Sequence, residues 1–237
     1  MQRKRFGQHF LIDPLVVDEI IKLVAPKPID HILEIGPGTG ALTKQLVDSG
    51  ASVVAVEIDR DLCSLLERDF SHAQNVKVVN EDILKLDLNQ LLRNDRPWKL
   101  VGNLPYNIST PLVLRLLKRA ACFSSLFIML QTEVATRLAA SPGTKAYGRL
   151  SVIAQLHCSV IHRLDVDATS FRPKPSVRSS VVELSPISGT EDQELEAWLS
   201  LLVNKAFSKR RKKLVNSLRE CIDLEALIRC DIDPAWR

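Results

Sequence analysis

Between residues 13 and 130 the apolar positions switch back and forth between two periods. Leu15, Val16, Ile20, Ile21 and Val24 recur at helical spacing, with Asp13 placed to cap and Pro14 in the first turn, which predicts a helix over residues 13–24. A short apolar run over 29–35 reads as a buried strand ending in a glycine loop. A helix over 41–49 follows, stopped by Gly50. The β-branched run 51–56 is the next strand and terminates at Glu57. The alternation then continues: helix 59–69, strand 76–80, strand 99–102, helix 110–119 and strand 125–130. Helices alternating with strands need right-handed crossovers, so the expected fold is α/β, with a mostly parallel, doubly wound, Rossmann-like sheet.

Beyond residue 131 the rhythm changes. Segments 131–140 and 147–158 read as helices separated by the turn Ser141-Pro-Gly143, and 160–166 and 179–184 read as an antiparallel strand pair closing the sheet edge. Pro186-Ile-Ser-Gly189 has linker composition. The rest reads as helical: 191–207, a second helix running through a basic stretch to about 219, and 224–229. The expected organisation is a catalytic domain over 1–186 and a small helical domain over 187–237. Internal repeats and low-complexity tracts are not evident.

Composition excludes some classes. With 237 residues, 46% hydrophobic and 25% charged, the chain matches ordinary globular proteins. No apolar stretch approaches the roughly 20 residues that span a bilayer. The segment Phe6-Gly-Gln-His-Phe10 is unlike the core of an export signal. The cysteines, Cys63, Cys122, Cys158, Cys221 and Cys230, are scattered and odd in number, which argues against a disulfide framework or a zinc site and for a reducing cytoplasm. Nothing in the pattern suggests an obligate interface, so a monomer is expected.

The net charge is only +4 but is unevenly placed. Residues 197–219 contain no acid, while Lys205, Lys209, Arg210, Arg211, Lys212, Lys213 and Arg219 are all cationic. Arg3, Lys4 and Arg5 form a smaller cluster. Such asymmetry suits a phosphate-rich partner.

Glycines 36, 38 and 40 follow a strand and open a helix in Glu34-Ile-Gly-Pro-Gly-Thr-Gly40, where backbone amides can approach a ligand closely. By itself such a loop serves nicotinamide, flavin or sulfonium cofactors. Glu57, at the end of the second strand, can accept both hydroxyls of a ribose, and Asp82, after the third, can accept an adenine amino group. The GxGxG spacing and the lack of a second nucleotide-binding half favour S-adenosylmethionine.

Asn103-Leu104-Pro105-Tyr106 lies at the same carboxyl edge of the sheet. The lone pair of an adenine N6 is delocalised into the ring and attacks a sulfonium methyl poorly. Two acceptors on its N–H bonds, the Asn103 side-chain oxygen and the Leu104 carbonyl, favour a more tetrahedral, electron-rich nitrogen. Pro105 biases Leu104 toward an extended conformation, and Tyr106 offers a face for an extruded base.

With these residues in place, the chain resembles the ribosomal RNA adenine N6,N6-dimethyltransferases, the small-subunit (kasugamycin-sensitivity) branch. The resemblance rests on Phe6-Gly-Gln-His-Phe-Leu-Ile-Asp13, Leu33-Glu-Ile-Gly-Pro-Gly-Thr-Gly-Ala-Leu-Thr43, Val56-Glu-Ile-Asp59, Gly102-Asn-Leu-Pro-Tyr-Asn-Ile-Ser-Thr-Pro111, Tyr147-Gly-Arg-Leu-Ser151 and Phe171-Arg-Pro-Lys-Pro-Ser-Val177. It implies dimethylation of two adjacent adenosines in a hairpin near the 3′ end of small-subunit rRNA, within a pre-assembled small ribosomal subunit. It also places His9 and Leu11 near the methionine end or ribose of the cofactor, and Gly36 and Gly38 in the cofactor loop. Glu57 falls on the ribose, Asp82 on the adenine and Asn103 at the junction of cofactor and target, while Phe171 becomes a second stacking surface opposite Tyr106. The cations Lys209, Arg210, Arg211, Lys212 and Lys213 become RNA contacts on a helix whose inner face carries Val203, Phe207, Leu214 and Leu218. The departures are His9, where relatives often carry asparagine, Thr132 in place of a lysine, and Asp167-Ala-Thr169 in place of a proline-rich approach to Phe171. The rival expectations are a large-subunit rRNA methyltransferase of the macrolide-resistance type, a DNA adenine methyltransferase, and an assembly factor without turnover.

Overall fold

The computed structural model describes residues 8–92, 96–187, 193–209 and 212–236. Its centre is a seven-stranded sheet. Strands β2 (His31–Ile35), β3 (Ser52–Glu57), β4 (Val76–Asn80), β5 (Trp98–Asn103) and β6 (Phe123–Gln131) run parallel. Strands β7 (Cys158–Val166) and β9 (Ser179–Pro186) complete it in the order β4-β3-β2-β5-β6-β9-β7, with β9 antiparallel to both of its neighbours. The antiparallel pair therefore closes one edge, as its alternating pattern predicts.

Both faces of the sheet are covered, and strand alternation decides which residue goes where. Leu33, Ile35, Leu100, Leu126, Ile128 and Leu130 point to one side, where they pack with helices α5 (Ser109–Leu117), α6 (Thr132–Leu138) and α7 (Arg149–His157). Ile32, Val53, Val101, Phe127 and Met129 point to the other, against α1 (Pro14–Val24) and α2 (Ala41–Asp48). Helix α1 begins as its sequence dictates. Asp13 caps it by accepting from the Leu15 amide at 3.0 Å, and Val17, Ile20 and Val24 supply its buried stripe.

One element was not legible beforehand. The two-residue strands β1 (Phe10–Leu11) and β8 (Phe171–Arg172) pair antiparallel, Leu11 with Phe171 and Phe10 with Arg172. Further bonds extend the clasp, from the Ile12 amide to the Ser170 carbonyl at 2.9 Å and from the Ser170 hydroxyl to Asp13 at 2.9 Å. It lays residues 8–11 along the carboxyl edge of the parallel strands.

The C-terminal segment departs from the expected helix through the basic run. Helix α8 (Gln193–Ala206) ends in a turn tightened by the Ser208 hydroxyl on the Lys205 carbonyl at 2.7 Å. The next helix, α9 (Leu214–Leu218), starts only after Lys213, which is extended at φ −63° and ψ 148°. Five consecutive cations would have set like charges three and four residues apart on one helix, and Lys213 would also face a positive helix end. Lys209, Lys212 and Lys213 thus lie in the connection rather than on a helix, and Arg210 and Arg211 lie outside the described residues, as do Arg3, Lys4 and Arg5. Helix α10 (Leu224–Arg229) follows, with Leu218 and Leu227 buried. A ring contact between Tyr147 and Phe207, centroids 6.0 Å apart, joins this segment to the loop before α7.

The amino edge of the sheet, opposite the glycine loop, is fastened by one cation. The Lys99 ammonium donates to Asp30 at 2.8 Å and to the Val24 and Ala25 carbonyls at 3.0 and 3.1 Å, so it also caps α1. Both members of the ion pair are mostly buried, at 17% and 18% exposure. Lys99→Met leaves Asp30 and two carbonyls without their donor and is expected to cost roughly 2–3 kcal/mol in urea unfolding, somewhat below the figure for a fully buried pair.

Candidate active site

The parallel sheet brings the chemistry-bearing residues to one edge through register alone. Strands β2, β3, β4 and β5 end together, with Ile35 beside Gly102, Glu57 beside Asn80 and Asn103 beside Met129. Between β2 and β5 the chain order reverses, and crevices for ligands form at such points. A cavity of about 160 Å³ opens there. Its wall includes residues 8–11, the glycine loop, Glu57, Asp82 and residues 103–108.

The glycine loop works through missing side chains. Gly38 has φ +59°, and a β-carbon there would lie 2.8 Å from the ring of Phe10. The loop can therefore pass under that ring only without a side chain. In return the Gly38 amide donates to Glu57 at 3.2 Å.

Glu57 is only 3% exposed yet well supplied with donors. One oxygen accepts from the Ile58 and Asp59 amides at 2.9 and 3.0 Å and from the Gln8 side chain at 3.3 Å. Burial pushes its pKa up, and the amides of Asp59, Gly38 and Ile58 pull against that. Asp82 is held in the same manner, accepting from the Leu84 amide at 2.9 Å. From α5, Arg115 reaches the Ile83 and Leu86 carbonyls and fixes the loop that carries Asp82.

At the other end of the cavity the Asn103 side-chain nitrogen donates to the His9 carbonyl at 2.8 Å. A carbonyl only accepts, so the nitrogen must face it and the carboxamide oxygen is turned the other way. In the same tetrapeptide the Pro105 and Tyr106 carbonyls are occupied by the Ile108 amide and the Ser109 hydroxyl. Among the described residues no hydrogen bond occupies the Leu104 carbonyl. The Tyr106 ring lies 5.3 Å from the His9 imidazole, tilted by 31°.

The cavity thus gathers His9, Leu11, Gly36, Gly38, Glu57, Asp82, Asn103, Leu104, Pro105 and Tyr106. Phe171 is a correction. It is 3% exposed, packed in the core layer under α1 and α2, and absent from the cavity wall. Its backbone pairs with Leu11, which turns the ring into the core rather than toward Tyr106. The cations at 209, 212 and 213 are not part of this wall either. Sequence reasoning passed over Gln8 and Phe10, although both stand in the quoted segment around His9. Thr132, a departure from relatives, donates to the Ser180 hydroxyl at 2.9 Å, since that hydroxyl gives its own proton to Asp165 at 2.7 Å.

A parallel sheet with a reversal crevice, a glycine loop under an aromatic ring and carboxylates following β3 and β4 defines a Rossmann-like fold of the kind methyltransferases use. The family model for ribosomal RNA adenine dimethylases matches residues 1–229, and the chain belongs to that family, which makes it an rRNA adenine methyltransferase. The ribosomal RNA small subunit methyltransferase A of Hahella chejuensis is 46% identical, over 99% of this chain and 86% of its own. The protein of the same name from Methylococcus capsulatus is 44% identical, over 99% and 91%. Among solved structures, a dimethyladenosine transferase from Plasmodium falciparum superposes with TM-score 0.81 at 30% identity, covering 93% of this chain and 78% of that one. The 23S rRNA methyltransferase ErmE superposes with TM-score 0.76 at 25% identity, covering 96% and 92%.

Glu34 is a buried carboxyl of the cavity with less compensation than Glu57. It is 2% exposed, its Oε2 has no partner among the described residues, and burial pushes its pKa up to about 7. Thr43 relieves part of that shift, and the charge of Glu57 adds to it. A folded-state pKa above the unfolded one means that the native state holds the extra proton. The stability this brings is fully present below about pH 4.5 and is lost as pH rises to about 7. Glu34→Gln should remove the dependence. In thermal melts without cofactor, the wild type is expected to lose up to roughly 3 kcal/mol relative to the variant between pH 4.5 and 8.

Proposed function

We propose that this chain transfers methyl groups from S-adenosylmethionine to N6 of two adjacent adenosines in a hairpin near the 3′ end of small-subunit (16S) rRNA. On this reading it acts as a cytoplasmic monomer on a pre-assembled small subunit and takes part in small-subunit biogenesis. The observation that carries the reading is the Asn103 carboxamide, pinned by the His9 carbonyl at 2.8 Å, in the wall of one cavity with Tyr106 and Glu57.

The residues present suit the cofactor. Three of the donors to Glu57 meet one oxygen and only the Gly38 amide meets the other, which leaves that second oxygen lone pairs for ribose hydroxyls, and Asp82 keeps one oxygen beyond its Leu84 contact for an adenine amino group. Gly36 and Gly38 leave room for close approach, while His9 and Leu11 close the methionine end. The buried Glu34 carboxyl, with its raised pKa, is a group that a cationic ligand would favour in its charged form. When bound, S-adenosylmethionine supplies an electrophilic methyl group. The chain supplies the rest. The Asn103 oxygen and the unoccupied Leu104 carbonyl accept the two N6 hydrogens, and Tyr106 stacks on the base. The surplus proton becomes acidic once the amine is alkylated and leaves without an ionised base.

A small-subunit target is favoured over a large-subunit one by the higher identity to relatives named for the small subunit. Residues 187–237 are read as the RNA-binding domain. Lys209, Arg210, Arg211, Lys212 and Lys213 form an uninterrupted cationic run in the sequence whose phosphate contacts give salt-dependent affinity. Phe171 keeps an indirect part, holding Leu11 and the clasp from within the core.

Incubation with labelled S-adenosylmethionine and unmethylated small or large subunits, followed by mapping of modified nucleotides by mass spectrometry, tests the assignment. Label in the small subunit at paired adenosines supports it, and label confined to the large subunit refutes it. Asn103→Ala is expected to abolish transfer while melting and cofactor binding persist, and near-normal turnover would remove Asn103 from the chemistry. Glu57→Ala is expected to weaken S-adenosylmethionine binding by roughly 1–3 kcal/mol in calorimetry, the scale of lost charged hydrogen bonds.

A further inference from the structure

A base can stack productively only on a ring whose orientation is already set, and Tyr106 is set from two sides. Its hydroxyl meets the Ser179 hydroxyl at 2.7 Å across 73 residues of chain. Ser179 is wholly buried, at 0% exposure, as the first residue of β9, where its backbone pairs with Gln131 and Val166. That position cannot drift, because it sits in the middle of three bonded strands. The phenol is half-buried, and burial pushes its pKa up, so it stays a protonated partner. On the ring itself lies the His9 imidazole, which is tied through Nδ1 to the Pro173 carbonyl at 2.7 Å.

We propose that Ser179 is a positioning residue for methyl transfer: through the Tyr106 hydroxyl it fixes the aromatic platform that receives the target adenine, with His9 restraining the ring from its other side. This rests on the acceptor site described under the proposed function. The sheet's antiparallel strand, which contributes nothing to the cavity wall, thereby sets the tilt of the base-stacking ring. A phenylalanine at 106 would stack on a base equally well but would lack this anchor. The phenol oxygen is therefore a steering handle and takes no part in the chemistry.

The test is a double-mutant cycle on the full chain with unmethylated small subunits and labelled S-adenosylmethionine. Ser179→Ala and Tyr106→Phe should each lower kcat/KM for the subunit by about 2- to 10-fold, the range of one hydrogen bond, while cofactor affinity by calorimetry is unchanged. The double variant should fall no further than the weaker single variant, because both substitutions remove the same bond. Losses that multiply, or single variants equal to wild type, overturn the proposal. If Ser179→Ala fails to fold, Tyr106→Phe removes the same bond without touching the buried serine. A wild-type kcat/KM in Tyr106→Phe then refutes the proposal by itself. Absence of transfer by the wild-type chain would instead strike at the proposed function, which separates the two failures.

Discussion

Pairing of β2 with β5 is the constraint on which the site depends. Parallel register sets Ile35 beside Gly102, and the two strands then part, one into the glycine loop and the other into Asn103. The approach is tight enough that a β-carbon on Gly102 would lie 2.9 Å from the Ile35 carbonyl oxygen. Backbone, not side chain, therefore sets the distance between the glycine loop and Asn103. A bulkier residue there would move Asn103 as a whole, and no side-chain rearrangement could restore its place.

The second constraint is long-range and slender. Strands β1 and β8 pair over only two residues each, yet they bring Gln8 to Glu57, Phe10 over Gly38 and the His9 carbonyl to Asn103. So few ladder bonds would not hold by themselves. Phe171 and Leu11 anchor the ribbon in the core, and Asp13 doubles as cap of α1 and partner of Ser170. Burial of Phe171 is thus what places the His9 carbonyl. This is a different contribution from the direct stacking that resemblance implied, and it acts through packing rather than contact with a base.

Legibility in the sequence followed the range of the interactions. Local patterns were enough for α1 with its Asp13 cap and for β4 over Val76–Asn80, because period and capping are written in neighbouring residues. The parallel strands and their carboxyl-edge residues also followed, since alternation with helices leaves few topologies. The β1–β8 ribbon was invisible because two residues carry no periodic signal. The break in the basic run was hidden because Leu214 and Leu218 keep helical spacing with Val203 and Phe207, a pattern that says nothing about the repulsion of the cations between them. In the site, residue types marked Glu57, Asp82 and Asn103. Ser179 could not be marked, since its role depends on a contact spanning 73 positions.

Electrostatics gives the cavity a direction. At the Glu57 end, backbone amides already meet the carboxylate, so a ligand there needs only to add neutral donors such as hydroxyls. At Glu34 the relief is smaller, coming from Thr43 alone, and a carboxyl whose pKa is raised to about 7 is poised between two states near neutral pH. A neutral ligand near it would leave the proton in place, whereas a cationic one favours the carboxylate and releases the proton. Glu34 is therefore a carboxyl whose proton responds to the charge of what lies beside it, and the charge of Glu57 already acts on it. The same group costs the empty protein stability as pH rises toward about 7, because burial favours its protonated form.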